Sequence, residues 1–343
     1  MVRLDIIPKL IFVCLALSVL LSVALSAAPS AHASRDDVIE EVVTVGVQPG
    51  PKMWRVKKAD HELWIFGTLS PIPKKMEWDS QSVEAILAES QEVIYAPAVA
   101  VTANPFKGIF ALPMLWGIQN SPDKKKLVDL LPDELYQRWL ALKTTYIGKD
   151  RGIEKHRPIF AANELFNKAI DKSGLEPGIR VDKEIKKLVK KYKVPTTLTT
   201  ITRKLESPRT VLKKFKKSSI DDISCFRKTV ERLEVDLDAM QARALAWSAG
   251  DVTALRALPH EDQNVSCIQA VLSSSFGADF ADDAGLKNAE EQLKAMWVDA
   301  ATTALDKNAV TFAVLPIAQI LKTDGPLAYF RQHGYEVKSG GGE

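Results

Sequence analysis

The sequence is poor in the residues that build common catalytic and metal sites. Its 343 residues include only 3 cysteines and 5 histidines, and no histidine stands at metal-ligand spacing from another histidine, a cysteine or paired carboxylates. It has no G-x-S-x-G, no phosphate-binding P-loop and no G-x-G-x-x-G. The sequence therefore lacks the usual signatures of zinc-binding helices, serine hydrolases and nucleotide-binding folds. The formal charge of +3 is close to neutral, so the composition gives no general case for nucleic-acid binding.

Residues 1–33 have the layout of a secretory signal peptide. Basic residues precede the apolar run Leu10–Ala28, and Ala-His-Ala at 31–33 places small residues where a signal peptidase reads them. We therefore predict cleavage after Ala33 and a periplasmic or secreted protein. The alternative is a membrane-anchored protein, because the uncleaved run is nearly long enough to cross about 30 Å of hydrocarbon. No second apolar span follows, so no transmembrane span would remain after cleavage.

The cysteines that remain after this segment indicate a disulfide. With Cys14 removed, only Cys225 and Cys267 are left. In an oxidising compartment such a pair favours one bridge, and the alternative is two buried free thiols. Two cysteines alone make a poor metal site.

Hydrophobic patterning predicts one domain over residues 51–343, after a polar linker at 34–50. The first fifty residues of the domain read β-β-α-β, with the third strand-like run ended by Pro97. Amphipathic helices fill the region of about 120–306, and the most helical stretch is Asp221–Ala249. An apolar strand, a helix and a terminal strand close the chain. Strands at both ends with helices between them predict an α/β or α+β fold with a large helical component.

A strongly basic run covers residues 203–217, with seven Lys or Arg against one Glu. We interpret it as a basic helix that could meet anionic polysaccharide, lipid head groups or phosphate. The alternative is the solvated face of an ordinary helix. The residues that would make such contacts are Arg203, Lys204, Lys213, Lys214, Lys216 and Lys217.

Several segments occur in a distinctive order along most of the mature chain. They are, in sequence, FGTLSPIPK, SVEAILAESQEVIYA, VPTTLTT, AWSAGDVTALRAL, FAVLPIAQIL and FRQHGYEV. In this order and spacing the chain resembles the TraB/GumN family, which includes the TIKI-type metalloproteases. The resemblance extends from roughly Trp54 to Val337.

The family's motifs are altered here at the residues that the resemblance would assign to metal binding. Ser70 stands at the histidine of a Gly-Thr-x-His motif, and Ala96 stands at a glutamate that ends a strand. Thr200, or Thr199 beside it, stands at a second glutamate, and Gln319 at the histidine of a Gly-x-x-His motif.

The resemblance implies a central mixed β-sheet and a metal-dependent hydrolase site at the end of that sheet. Asp182 fits the one position that this chain retains. A divalent metal of this kind binds deprotonated carboxylates or neutral imidazoles, which the altered positions do not supply. We therefore expect a vestigial pocket with no metal, no cofactor and no catalytic residue. Its occupant would be a small molecule or an envelope partner.

Two alternatives remain open at this stage. The protein could be an active hydrolase whose ligands come from other residues, such as Asp182, His61 or Glu62, or one that uses Ser70 with a base within hydrogen-bond reach. It could also be an interaction protein that uses the basic run at 203–217.

Overall fold

The structure is a computed structural model that describes residues 48–218, 222–258, 267, 274–283, 286 and 288–340. The predicted signal segment, its cleavage at Ala33 and most of the predicted linker lie outside the described residues. Among the residues described, none of the helices has the length and apolar character needed to cross a membrane.

A six-stranded mixed sheet lies at the centre, in the order β6-β4-β7-β2-β1-β8. Its strands are β1 (Met53–Lys58), β2 (His61–Thr68), β4 (Glu92–Ala103), β6 (Thr196–Leu205), β7 (Val310–Pro316) and β8 (Glu336–Gly340), while β3 (Ile72–Pro73) and β5 (Leu175–Glu176) pair separately. The four neighbours β6, β4, β7 and β2 are parallel, and β1 is antiparallel to both β2 and β8. The predicted α/β fold with a central mixed sheet is confirmed.

Helices cover the rest of the described chain. They are α1 (Gln81–Glu89), α2 (Pro105–Ile109), α3 (Leu127–Leu130), α4 (Asp133–Tyr146), α5 (Pro158–Lys172), α6 (Ile179–Tyr192), α7 (Pro208–Lys217), α8 (Asp222–Val235), α9 (Leu237–Ser248), α10 (Val252–Ala257), α11 (Ser275–Asp283), α12 (Ala289–Lys307), α13 (Ile317–Leu321) and α14 (Pro326–Gln332). Short 3₁₀ helices occupy Leu112–Leu115, Pro122–Lys124 and Ile153–Lys155.

The predicted β-β-α-β beginning is confirmed, but the third strand is longer than the sequence indicates. We expected Pro97 to end it, whereas β4 continues to Ala103. The pairing with β6 shifts between Tyr95 and Ala98, so a bulge accommodates the proline. Because a proline nitrogen has no hydrogen to donate, such an irregularity lets the ladder resume beyond it.

The helical stretch Asp221–Ala249 consists of two helices, α8 and α9, separated at Asp236. The Asp236 carboxylate pairs with Arg232 on one helix and Arg243 on the other, at 3.0 and 2.8 Å. Gly250 follows α9 with φ of +68°, as expected for a glycine after a helix end.

The predicted disulfide between Cys225 and Cys267 is present. Cys225, at one end of the bridge, lies in α8 and is completely buried.

The two largest hydrophobic clusters among the described residues are a sheet core and a helical core. The sheet core lies between β1, β2, β4 and β7 and the helices α1, α6, α9 and α12, and its large residues include Phe66, Trp247, Trp297 and Phe312. The helical core lies between α3, α4, α5 and α8, around Trp139.

The prediction of one basic helix over residues 203–217 is wrong at its beginning. Arg203 and Lys204 lie near the end of β6, and only Pro208–Lys217 is helical. Pro208 stands at the first helical position, where its missing N–H leaves no hydrogen bond unmade.

Candidate functional site

Two of the predicted site residues follow the carboxyl ends of parallel strands, and the other two lie within neighbouring strands. Ser70 follows β2, and Gln319 lies in α13 directly after β7. Ala96 lies at the bulge of β4, and Thr200 pairs with Ala98 across the adjoining strand β6. Thr68 pairs with Pro316, so β2 and β7 reach this edge at the same level. Ser70 and Gln319 therefore lie beyond the carboxyl ends of adjacent strands, while β4 and β6 continue past Ala96 and Thr200.

The hydroxyl group of Ser70 ties the loop after β2 to the beginning of α6. Its Oγ accepts a hydrogen bond from the backbone N–H of Gly178 at 3.1 Å. A Cβ atom at Gly178 would lie 2.2 Å from the carbonyl oxygen of Leu69, so the approach of the two segments requires glycine. Ser70 is nevertheless exposed, and its own O–H and second lone pair can still meet a ligand.

Asp182 lies in the first turn of α6 on the same side as Tyr95, which precedes Ala96 in β4. Both side chains are half-buried. Burial raises the pKa of the Tyr95 phenol, and the negative charge of Asp182 raises it further. The phenol therefore stays neutral at physiological pH and is available as a hydrogen-bond donor. Sequence reasoning missed Tyr95, although its place beside Ala96 was a usable signal.

The two threonines considered for the second glutamate position, Thr199 and Thr200, have different surroundings. Thr199 is buried, and its Oγ1 donates a hydrogen bond to the carbonyl oxygen of Tyr95 at 3.0 Å. Thr200 is half-buried. Thr199 thus supports the bulge of β4, and Thr200 is the more accessible of the two.

Buried contacts fix the end of β2 against its neighbours. The indole Nε1 of Trp247 donates a hydrogen bond to the Gly67 carbonyl oxygen at 2.7 Å. A Cβ at Gly67 would lie 2.6 Å from Cδ1 of Ile317, so this glycine lets α13 pack closely on the strand. That packing sets the position of α13, and with it the half-buried Gln319.

Two of the residues considered for an alternative hydrolase site, His61 and Glu62, lie away from Ser70. His61 and Glu62 begin β2, whereas Ser70 lies just beyond the other end of the same strand. The seven residue steps from His61 to Thr68 correspond to roughly 23 Å along the strand. His61 Nδ1 lies 2.6 Å from the carbonyl oxygen of Leu305, and Glu62 pairs with Arg55 at 3.2 Å. Neither can converge with Asp182.

The other described histidines also make their contacts away from Ser70. His156 lies beside Gln119 and Glu164, and the His333 ring stacks on Tyr329 at 3.9 Å. His260 lies outside the described residues. The described contacts thus offer Ser70 no histidine as a general base.

The residues at the four altered positions do not fit a transition-metal ion. They offer two hydroxyl groups, one methyl group and one carboxamide, and one hydroxyl already accepts the Gly178 N–H. Within the described ranges, no three His, Cys, Asp or Glu side chains are grouped so that they could hold a metal.

A cavity of about 530 Å³ lies at the opposite end of the sheet from Ser70. It is lined by Lys57, Lys58, Ala59, His333, Gly334, Tyr335 and Glu336. No residue of the predicted site lines it.

A scan against protein families matches residues 52–339 to the TraB/PrgY/gumN family. The chain belongs to this family. The match covers the described sheet from β1 almost to the end of β8, which confirms the resemblance inferred from the order of the motifs. No curated protein and no solved structure matched the chain.

Proposed function

We propose that this TraB/PrgY/gumN protein is exported, has lost the metal-dependent hydrolysis implied by its family resemblance, and acts by binding in the cell envelope. The observation that carries the proposal is the set of side chains at the four predicted metal-ligand positions, Ser70, Ala96, Thr200 and Gln319. Ser70 uses its oxygen to accept the Gly178 N–H, and Ala96 has no ligand atom at all. Neutral oxygens at Thr200 and Gln319 do not replace imidazole or carboxylate ligands.

The groups that remain around these positions suit a polar ligand. Ser70 retains a hydroxyl donor, and the neutral phenol of Tyr95 supplies another. The Gln319 carboxamide can donate and accept, while the Asp182 carboxylate can only accept. Such a set recognises hydroxyl and amide groups. We therefore propose a small polar molecule as the occupant, with a polar segment of an envelope partner as the alternative.

Two further observations support export. Residues 1–33 have the layout of a signal peptide, with a small-residue cleavage site that ends at Ala33. The Cys225–Cys267 disulfide suits an oxidising compartment, because cytosolic thiols are kept reduced. Together they favour a periplasmic or secreted location over a cytosolic one.

The test is the metal content of untagged protein purified from its own envelope fraction, measured by mass spectrometry. We expect far less than one equivalent of any transition metal. Titration calorimetry with Zn²⁺, Mn²⁺ and Co²⁺ then asks whether the protein can bind metal at all. One equivalent in the purified protein would contradict the proposal. So would binding tighter than micromolar that disappears in Ser70→Ala with Gln319→Ala.

A matched control separates these positions from the rest of the sheet. Glu62→Gln changes a carboxylate at the opposite end of β2. Any metal binding that Glu62→Gln removes would be attributed to that end of the sheet.

A further inference from the structure

The segment that follows β4 exposes an unusual amount of apolar surface. Of the eleven exposed large apolar side chains in the described part of the chain, five fall between residues 106 and 116. Their exposed fractions are 75% for Phe106, 60% for Ile109, 68% for Phe110, 47% for Leu112 and 90% for Trp116. Single exposed apolar residues are common on soluble proteins, whereas several within one short segment indicate an interaction surface.

The basic helix α7 lies directly against this segment. It contacts both α2 and the 3₁₀ helix Leu112–Leu115, and Lys216 Nζ donates a hydrogen bond to the Trp116 carbonyl oxygen at 2.8 Å. Phe215 faces inward, with its ring edge-on to that of Phe160 at 6.2 Å.

The outer face of α7 carries several positive charges. Its ten residues include five Lys or Arg and no acidic residue. The exposed members are Arg209, Lys213, Lys214 and Lys217. Here we define the basic–aromatic surface as the exposed residues of 106–116 together with these four.

We propose that the basic–aromatic surface docks on an anionic phospholipid bilayer. Aromatic and aliphatic side chains beside a row of lysines are the combination that binds membrane interfaces, where the apolar groups enter the headgroup region and the cations meet anionic lipids. Tryptophan in particular favours that depth, and Trp116 is the most exposed of the group. An anionic polysaccharide would use the lysines but would leave Phe106, Ile109 and Phe110 in water. The apolar component therefore favours lipid over glycan.

This proposal is independent of the binding function at Ser70. It also differs from anchoring by the apolar run at 10–28, which could by itself hold an uncleaved chain to any vesicle. The test must therefore detect contact at Trp116 itself and not only retention of the chain.

The experiment uses the full chain and vesicles of phosphatidylcholine, with or without phosphatidylglycerol. The acyl chains carry bromine, which quenches nearby tryptophans. The signal of Trp116 is the difference between the wild type and Trp116→Phe, since the chain has 7 tryptophans. We expect Trp116 to be quenched by the anionic vesicles, and much less by vesicles of phosphatidylcholine alone.

Charge reversal tests the lysines with a matched control. Lys213→Glu with Lys217→Glu should lower the affinity for anionic vesicles, measured by the quenching of Trp116. We expect about a fivefold loss for each positive charge removed, and a further loss for each negative charge introduced. Lys186→Glu with Lys190→Glu makes the same change at the same spacing on exposed positions of α6, and should leave it unchanged. Equal loss in both pairs would overturn a specific basic surface, because it would show a response to net charge alone.

Apolar truncation tests insertion. Phe106→Ser with Phe110→Ser should reduce the affinity for anionic vesicles at least tenfold, whereas Leu198→Ser, at a 66% exposed position on β6, should not. Absence of Trp116 quenching would overturn the proposal. It would also be overturned if the Phe106→Ser and Phe110→Ser protein bound normally while the lysine reversal abolished binding to vesicles and to heparin alike. That result would identify a glycan surface.

Discussion

The sheet core and the helical core are held together by different chemistry. In the sheet core, Phe66 packs on Trp247 and Phe312 at ring distances of 6.3 and 6.1 Å. Beside the helical core, charged side chains are buried instead. Arg157 and Asp222 pair at 3.0 Å with side-chain exposures of 3% and 5%.

The difference determines what each region tolerates. A buried ion pair is weak evidence of net stability, but breaking it leaves an uncompensated charge in a place that water does not reach. A close-packed contact between apolar side chains and backbone atoms does not depend on charge, but it is disrupted when a side chain becomes larger or smaller. The helical core should therefore respond most to loss of a charge or of a disulfide. The carboxyl edge of the sheet should respond most to added atoms.

The largest effect is expected from Arg157→Ala. Besides the ion pair, the guanidinium donates hydrogen bonds to the carbonyl oxygens of Phe215 and Ser218 at 2.9 and 3.0 Å. Its removal leaves Asp222 buried without that cation and should destabilise the protein by about 3–5 kcal/mol. Urea denaturation of both proteins measures the difference. Arg157→Ala together with Asp222→Ala should be less destabilised than Arg157→Ala alone, and a more severe loss in the double variant would contradict this account.

Next in size is loss of the disulfide. Cys225 and Cys267 are separated by 42 positions, and a bridge over a loop of this length contributes about 2–4 kcal/mol. Cys225→Ser with Cys267→Ser should therefore lower the thermal midpoint of the wild type. A reducing agent should produce the same shift in the wild type and none in the variant. If the reductant leaves the wild-type midpoint unchanged, the bridge does not contribute to stability.

At the sheet edge, Gly178→Ala tests sensitivity to volume. The new methyl group would meet the Leu69 carbonyl oxygen, which is backbone and cannot rotate away. We expect a loss of about 1–3 kcal/mol, typical of overpacking. Gly108→Ala is the control, because nothing lies within 4 Å of the added atom there. Chemical denaturation of the two variants gives the comparison, and an equal response from both would show that the edge can relax.

A smaller loss is expected from Ser70→Ala. It removes the acceptor of the Gly178 N–H, a hydrogen bond that contributes about 0.5–1.5 kcal/mol. Ser80→Ala is matched in chemistry but removes a hydroxyl that makes no capping hydrogen bond at the beginning of α1. If Ser70→Ala proves as neutral as Ser80→Ala in thermal denaturation, the Ser70 hydroxyl has no structural role.

Much of the sheet could be predicted from the sequence, because its signals are local. The β-rich run before Gly67 and the apolar run in β7 identify strands by their composition and length. Pro97 was misleading, because proline usually ends a strand, and only the pairing with β6 shows that a bulge accommodates it. The basic run was misread for a related reason, since Arg203 and Lys204 join β6 by tertiary pairing.

The positions of the candidate site stay a prediction, and its contacts had no signal in the sequence. The order of the family motifs led to Ser70, Ala96, Thr200 and Gln319, and the parallel pairing of β2 and β7 explains why Ser70 and Gln319 follow neighbouring strands. That Ser70 accepts a hydrogen bond from Gly178 depends on the approach of segments more than a hundred residues apart. The separation of His61 from Ser70 likewise depends on the direction of β2. Neither fact has a signal in local sequence.

The smallest effect should come from an ion pair beside the sheet core. This pair differs from Arg157–Asp222 mainly in its exposure to solvent. Lys191 on α6 and Glu84 on α1 are 2.5 Å apart, with side-chain exposures of 59% and 30%. The Lys191 ammonium, and then the Tyr192 hydroxyl, hold the pKa of Glu84 below its ordinary value. A lowered carboxyl pKa contributes stability that is complete above the unfolded pKa, near 4.5, and is lost as the pH falls through the folded value.

Glu84→Gln should therefore lower stability slightly at neutral pH, where the contribution of the pair is complete, and the two proteins should converge as the pH falls below about 4.5. The neutral loss should be small, since exposed pairs are screened by water and salt. Urea denaturation from pH 3 to pH 7 measures this, and added salt should diminish the difference between the two proteins. Arg157→Ala should keep its large effect over the neutral range in the same salt. If Glu84→Gln were as damaging at neutral pH as Arg157→Ala, exposure would not be what separates the two ion pairs.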